Sequence, residues 1–184
     1  IIWGMDFLPN GDLIFSEKRG KLYRKNNETV TEITGFPEVL STGQGGLLDI
    51  RVHPDYSKNG WVYVCYAASN PAGGGLLKLI RFKITNDQVQ NIENIFTTNG
   101  SNTWYGHYGS RIVFDMAKYL YLSVGEGGVG SYGGPNTINT NAQDRISSWG
   151  KIHRLRDDGS IPADNPVIPG NSGPTSIYTY GHRN

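Results

Sequence analysis

An all-β fold is predicted from two features of this 184-residue sequence: its composition and the return of one strand pattern along the chain. The chain holds 25 glycines, 11 tyrosines and 4 tryptophans, and 37% of its residues are hydrophobic. Aromatic residues favour strands, whereas abundant glycine favours the tight turns between them. A chain of this length can bury a sizeable core, so we expect a single β domain over residues 1–184.

The pattern occurs three times as a series of short, alternating apolar segments. The first copy covers residues 1–25, in which the turn at positions 9–12 separates two strands and the Arg19–Gly20 turn leads into a third. The second copy opens at Leu47–Val52 and the third at Arg111–Phe114. In the third copy, a long glycine-rich insertion separates the later strands. A fourth copy is predicted to open at residues 177–180.

The spacing of the copies predicts a β-propeller. Phe7, Val52 and Phe114 align, which gives spacings of 52 − 7 = 45 and 114 − 52 = 62 residues. The first value is the usual length of a propeller blade, and the second is a blade with an insertion. A β-sandwich built of hairpins is the alternative, and the repeated spacing favours the propeller. The chain starts in an apolar segment and stops directly after a strand-like one, so we expect it to be truncated at both ends. Three blades cannot close a ring of the usual four to eight, which again implies missing chain.

The overall charge and the cysteine content exclude several classes of protein. A formal net charge of +1 provides no basic field, so nucleic acid is not an expected partner. No apolar run is long enough to cross a membrane. The single cysteine, Cys65, cannot form an internal disulfide and lies in an apolar run where burial is expected.

Candidate functional residues lie in the segments around the first strands of the copies. Gln44 precedes the opening strand of the second copy, and His107 precedes that of the third. Because blades are related by rotation about a central channel, these two side chains are predicted to share one face at its mouth. Arg183 and Asn184 follow the predicted opening strand of the fourth copy, and the pattern leaves open whether they reach the same pocket.

An imidazole at position 107 could take up a proton near neutral pH, whereas His53 and His153 are predicted to be structural. The alternative for Gln44 is a strand cap, and for Arg183 an ion pair. The spacing of several carboxylates matches no calcium-binding loop, so no metal ligands are predicted from them. These carboxylates are Glu126, Asp144, Asp157, Asp158 and Asp164.

Seven stretches resemble the soluble PQQ-dependent sugar dehydrogenases, the glucose/sorbosone dehydrogenase family, and especially its aldose sugar dehydrogenase branch. They span nearly the whole chain in the order in which the family has them. The stretches are residues 3–11, 43–49, 52–56, 106–111, 150–152, 158–166 and 180–184.

The resemblance implies a six-bladed propeller, of which this chain supplies roughly the first three blades and the start of the fourth. It implies pyrroloquinoline quinone (PQQ) and calcium as cofactors near the propeller axis. His107 would be the general base that takes the proton from the anomeric hydroxyl of an aldose, with hydride passing to the quinone and a lactone as product. Gln44 and Arg183 would also contact the sugar, and both would contact the cofactor together with His107 and Asn184. The electron acceptor would be a dye or a one-electron carrier.

Two departures from the family pattern bear on function. Gly106 stands where the glucose dehydrogenase branch has an aspartate, so that carboxylate is missing beside His107. The calcium ligands and the basic residues for the PQQ carboxylates come later in family members than this chain extends. The resemblance also implies a periplasmic or secreted protein. The alternative function is a non-catalytic propeller that binds a glycan or a protein, whereas a hydrolase has little support because no serine lies in a nucleophile elbow.

Overall fold

The computed structural model describes residues 1–128 and 140–184, which form three four-stranded antiparallel sheets. The first sheet comprises β1 (Ile2–Phe7), β2 (Leu13–Glu17), β3 (Lys21–Asn26) and β4 (Thr29–Ile33). The second comprises β5 (Leu47–Val52), β6 (Val62–Ser69), β7 (Gly75–Thr85) and β8 (Gln88–Thr97). The third comprises β9 (Ile112–Phe114), β10 (Leu120–Val124), β11 (Lys151–Leu155) and β12 (Ile177–Tyr180). A single four-residue helix among the described residues, α1 (Tyr56–Asn59), lies between β5 and β6.

Each sheet is a meander, because its strands pair in chain order. The sequence alternation explains how the strands are oriented. In β10 the side chains of Leu120, Leu122 and Val124 are buried, whereas Tyr121 and Ser123 are only partly so. Successive side chains of a strand point to opposite faces, so this alternation gives β10 one buried face.

The three sheets stack face to face and bury two apolar layers. One layer lies between the first and second sheets and includes Ile14, Leu22 and Phe82. The other lies between the second and third sheets and includes Tyr63 and Leu122. The first strands of neighbouring sheets lie side by side, since β1 packs beside β5 and β5 beside β9. The first strand of each sheet is therefore the innermost, as in the blades of a propeller.

Buried polar side chains also join adjacent sheets. The Ser16 hydroxyl accepts a hydrogen bond from the main-chain N–H of Gly4 (2.9 Å) and donates one to the main-chain oxygen of Leu48 (2.6 Å). The Asp49 carboxylate accepts from the N–H of Ile112 at 2.8 Å. These directional bonds fix the position of each sheet relative to the next. Apolar contacts alone would define that position less narrowly.

The all-β prediction and the three repeated copies are confirmed. The strand predicted to open the second copy, Leu47–Val52, has those bounds. The outer strands β4 and β8 carry mostly polar, exposed side chains, and the apolar pattern did not reveal them. The predicted insertion falls partly on residues 129–139, which lie outside the described residues.

The prediction that a fourth copy opens at Ile177–Tyr180 is wrong. This segment is β12, which pairs with β11 through Lys151↔Tyr180 and Ile152↔Thr179 and completes the third sheet. The insertion lengthens the third copy, so its last strand falls where a new copy was expected. The described residues thus make three complete sheets and no strand of a fourth.

Two further sequence features can be placed in the fold. Cys65 is fully buried in β6 as a free thiol, and burial raises its pKa well above the usual value. No helix among the described residues is long and apolar enough to span a membrane.

Candidate active site

The candidate site residues come from equivalent positions in the three sheets. Gln44 lies between β4 and β5, and His107 lies between β8 and β9, so each follows an outer strand and precedes an inner one. With β12 placed as the outer strand of the third sheet, Arg183 and Asn184 occupy the same kind of segment. This equivalence brings all four residues to one end of the stacked sheets. The sequence pattern had left open whether Arg183 and Asn184 reach that end.

Hydrogen bonds join these segments directly around His107. The main-chain N–H of His107 donates to Oε1 of Gln44 at 2.9 Å. The N–H of Gly109 donates to Oδ1 of Asn184, also at 2.9 Å. The N–H of Gln44 in turn donates to the main-chain oxygen of Tyr105 at 2.7 Å. The loop that carries His107 is thus held from both neighbouring segments.

The His107 loop has an unusual backbone conformation. His107 has a φ of 46° and Tyr105 a φ of 59°, values that non-glycine residues rarely adopt. The main chain at Gly125 packs closely against this loop, since a Cβ at Gly125 would lie 2.0 Å from the main-chain oxygen of His107. Such a conformation persists only where the surroundings fix it.

Glu126 is the ionisable partner of His107. Nδ1 of the imidazole is hydrogen bonded to Oε1 of Glu126, and each residue is only 8% exposed. When the Glu126 carboxylate is ionised it only accepts hydrogen bonds, so a neutral ring bonded to it carries its proton on Nδ1. Nε2 then carries a lone pair, and no described residue forms a hydrogen bond with it. The imidazole is therefore oriented and in the tautomer that a general base requires.

Trp104 forms an apolar wall beside the imidazole. Its ring meets His107 edge to face, with the ring centroids 4.8 Å apart and the planes at 80°. The indole lies against Gly106 and Gly128, where a Cβ would approach it to 2.1 and 1.9 Å. Side chains at these two positions would displace the tryptophan, so the glycines allow this contact.

Arg183 is held by its main chain. The main-chain oxygen of Arg183 accepts a hydrogen bond from the N–H of Glu126 at 2.9 Å. Its side chain is exposed, and within the described residues its guanidinium has no hydrogen-bond partner. Gln44, Arg183 and Asn184 thus present polar side chains at the surface around the nearly buried His107.

The sequence analysis missed the roles of Glu126 and Trp104. It considered Glu126 only as a possible calcium ligand, although a signal was present. Glu126 follows β10, and β10 runs antiparallel to β9, so the end of β10 returns to the His107 end of the sheet. Glu126 thus places a carboxylate beside His107, although position 106 is a glycine. The described residues contain no group of three or more potential metal-binding side chains.

Of the other three histidines, two lie away from this cluster, and the ring of the third is bonded within its own segment. Nδ1 of His53 accepts from the N–H of Asp55 (2.9 Å) in the turn after β5, at the opposite end of that strand from Gln44. His153 lies within β11 between the second and third sheets. Nε2 of His182 is hydrogen bonded to the hydroxyl of Thr179 at 2.7 Å.

The chain is similar to several known proteins in sequence and in structure. The aldose sugar dehydrogenase YliI of Escherichia coli is 29% identical over 187 residues, which are 99% of this chain and 48% of the relative. The apo-form crystal structure of the soluble aldose sugar dehydrogenase from E. coli matches with a TM-score of 0.87 at 30% identity, covering 100% of this chain and 52% of the other. The PQQ-bound form of the aldose sugar dehydrogenase from Streptomyces coelicolor matches with a TM-score of 0.77 at 31% identity, covering 100% and 51%.

The chain spans about half the length of the curated relatives that it matches. Three blades in half the length agree with the six blades that the resemblance implied. The family model for glucose/sorbosone dehydrogenases matches residues 1–184. The chain is therefore a three-bladed part of a β-propeller and belongs to the glucose/sorbosone dehydrogenase family.

Proposed function

We propose that the protein containing this chain oxidises the anomeric hydroxyl of aldose sugars to lactones, with His107 as the general base. The observation that carries this proposal is the pairing of His107 Nδ1 with Glu126, which leaves Nε2 as a proton acceptor. The names of the aldose sugar dehydrogenases among the relatives support the substrate class.

The geometry suits removal of a hydroxyl proton. As Nε2 takes the proton, the ring becomes a cation, and the buried carboxylate of Glu126 stabilises that charge. The bond from the His107 N–H to Gln44 holds the main chain, so the ring need not reorganise during the transfer. The substrate loses this proton from its hydroxyl and a hydride from its anomeric carbon, which gives the carbonyl of the lactone.

The hydride needs an acceptor, and the polar side chains around His107 fit PQQ. PQQ is a planar quinone with carboxylates, so it requires hydrogen-bond donors and positive charge. The exposed guanidinium of Arg183 and the amides of Gln44 and Asn184 provide both. PQQ, when bound, supplies the two-electron acceptor for the hydride. Calcium is part of the same proposal, with its ligands outside this chain.

Other parts of the proposal concern the whole protein. Since the chain covers about half of its relatives, we propose that the remaining blades complete the cofactor site. We also propose a periplasmic or secreted location and reoxidation by a one-electron carrier or dye.

The test measures dye-linked oxidation of several aldoses by the intact protein that contains this chain, purified without cofactor. PQQ and calcium are added separately and together, and PQQ binding is followed by absorbance titration. We expect turnover only with both additions.

Absence of turnover together with absence of PQQ binding would contradict the proposal. That result would favour the non-catalytic propeller that binds a glycan or a protein. PQQ binding with no oxidation of any aldose would retain the cofactor site and reject the substrate class.

A further inference from the structure

Lys151, the first residue of β11, is a fully buried cation directly behind the candidate site. Its ammonium donates hydrogen bonds to three main-chain oxygens: those of Trp149 (2.6 Å), Asn141 (2.8 Å) and Ala142 (3.2 Å). An ammonium has three hydrogens, so each is matched to one carbonyl. Burying such a charge is costly, and it is tolerated here because every donor has a partner.

One of these carbonyl groups belongs to a residue that holds Glu126. The side-chain amide of Asn141 donates to the main-chain oxygen of Glu126 at 2.9 Å. The N–H of Gly150 donates to the oxygen of Gly125 at 2.8 Å. The segments that Lys151 binds therefore fix the main chain at Gly125 and Glu126. The Glu126 carboxylate in turn orients His107.

A second carbonyl belongs to a residue that holds the segment with Arg183 and Asn184. The oxygen of Ala142 accepts from the N–H of Gly181 at 2.9 Å, in addition to its bond from Lys151. The oxygen of Gly150, next to Lys151 in the chain, accepts from the N–H groups of Gly181 and His182, both at 3.1 Å. One ammonium thus joins the two segments that flank the His107 loop.

We propose that Lys151 is a positioning residue for the active site, whose ammonium holds residues 141–142 and 149 so that Glu126 and residues 181–184 meet the His107 loop. This inference rests on the proposed function, because it assigns Lys151 a role in supporting the same general base. It adds a residue that contacts neither the imidazole nor the exposed polar side chains.

The arrangement requires an ammonium in particular. Methionine has a similar length but no donor. It would remove a hydrogen bond from all three carbonyls, although the oxygens of Ala142 and Asn141 would each keep a main-chain N–H partner. Arginine has a planar fork of donors that does not match three carbonyls around one nitrogen. Burial lowers the pKa of Lys151 to about 8, an effect that the charge of Asp144 opposes. The neutral amine has only two hydrogens, so it can no longer donate to all three carbonyls at mildly alkaline pH.

The test compares Lys151→Met with His153→Gln in the intact protein. Both positions are buried on β11, but His153 contacts Ser148 and Ser176 and no residue of the candidate site. The first readout uses protein without cofactor: NMR of ¹⁵N-labelled histidine reports the tautomer of His107, whose signal is identified by its loss in His107→Gln. The second readout is kcat and KM for an aldose across pH, with PQQ and calcium added.

We expect Lys151→Met to mix the His107 tautomers and to lower kcat by up to about 100-fold, as misplacement of a catalytic group can. We expect wild-type kcat to decline near pH 8 and the variant to lack that decline. His153→Gln should retain the tautomer, the kcat and that decline. A folded Lys151→Met protein with wild-type tautomer and pH profile would overturn the proposal, as would equal effects of both variants.

A wild-type titration keeps the proposal testable if Lys151→Met does not fold. The His107 signal of cofactor-free protein is expected to change near pH 8 together with the ¹⁵Nζ signal of Lys151. A His107 signal that stays constant while Lys151 loses its proton would overturn the proposal. Because this readout needs no turnover, it distinguishes failure of the positioning role from failure of the proposed dehydrogenase activity.

Discussion

His107 and His153 are both buried, yet the regions around them differ in the kind of partner they provide. His107 lies in a loop at one end of the sheets and faces the carboxylate of Glu126. His153 lies in β11 between two sheets, where its ring nitrogens meet the oxygen of Ser148 (2.9 Å) and the hydroxyl of Ser176 (3.0 Å). The ring of Phe96 packs on it with the centroids 4.4 Å apart.

The difference shows what a buried imidazole needs in order to take up a proton. Neutral partners satisfy both nitrogens of His153 but do not compensate a charge, and burial lowers its pKa to about 4. A carboxylate partner compensates the charge at His107, while Nε2 remains without a partner among the described residues. The end of the sheets is thus suited to proton transfer, and the interior between the sheets to rigid packing.

The largest expected effect tests the first region. In the intact protein loaded with PQQ and calcium, His107→Gln should lower kcat about 10³-fold, since a positioned general base contributes roughly 10²- to 10⁴-fold. His153→Gln is the matched control and should retain kcat within about two-fold, a range too small to indicate loss of a general base. Steady-state kinetics with a dye acceptor provides the measurement. Near-normal turnover of His107→Gln would remove the base assignment and the contrast between the two histidines.

The second prediction tests the interior through the pH dependence of unfolding. The folded-state pKa of His153, about 4, lies below the ordinary value of 6.5. As pH falls from 6.5 towards 4, the unfolded state binds a proton that the folded state does not, so stability is lost over this interval. The difference corresponds to about 3 kcal/mol at most.

Urea unfolding of wild type and His153→Gln across this pH range checks the prediction. The variant has no titrating group at position 153, so its free energy of unfolding should fall less steeply with acid. Parallel pH profiles of the two proteins would show that His153 is not held neutral by the interior.

The sequence reveals those features that depend on neighbouring residues in the chain, and it hides those that depend on distant ones. Alternation within β5 and β10 is a local property, and it predicted these strands and their repeat. The polar outer strands β4 and β8 carry little apolar signal, so they were missed. The segment at Ile177–Tyr180 was predicted as a strand but given the wrong partner, because strand pairing is a non-local property that an insertion disguises.

The same reasoning applies to the site. Gln44 and His107 could be placed together because both precede an inner strand. Glu126 was not connected to His107, since that contact depends on where β10 ends in space, 19 residues further along the chain. The roles of Gln44, His107, Arg183 and Asn184 stay predictions for the kinetic and binding experiments.

The smallest expected effect is on stability, and it concerns a buried polar contact of Ser16. This residue lies in the first sheet, whereas His107 lies beside the third. Ser16→Ala removes the hydroxyl that joins the N–H of Gly4 to the oxygen of Leu48 across the first two sheets. Both main-chain groups would be left buried without this partner, so we expect a loss of about 1–2 kcal/mol in the free energy of unfolding. Urea unfolding measures the loss, and Ser57→Ala in the surface helix α1 is the control. The His107 tautomer should be unchanged in Ser16→Ala. A variant that shifts the tautomer would show that the packing of the sheets and the chemistry at their end are coupled, contrary to the separation that the two histidines indicate.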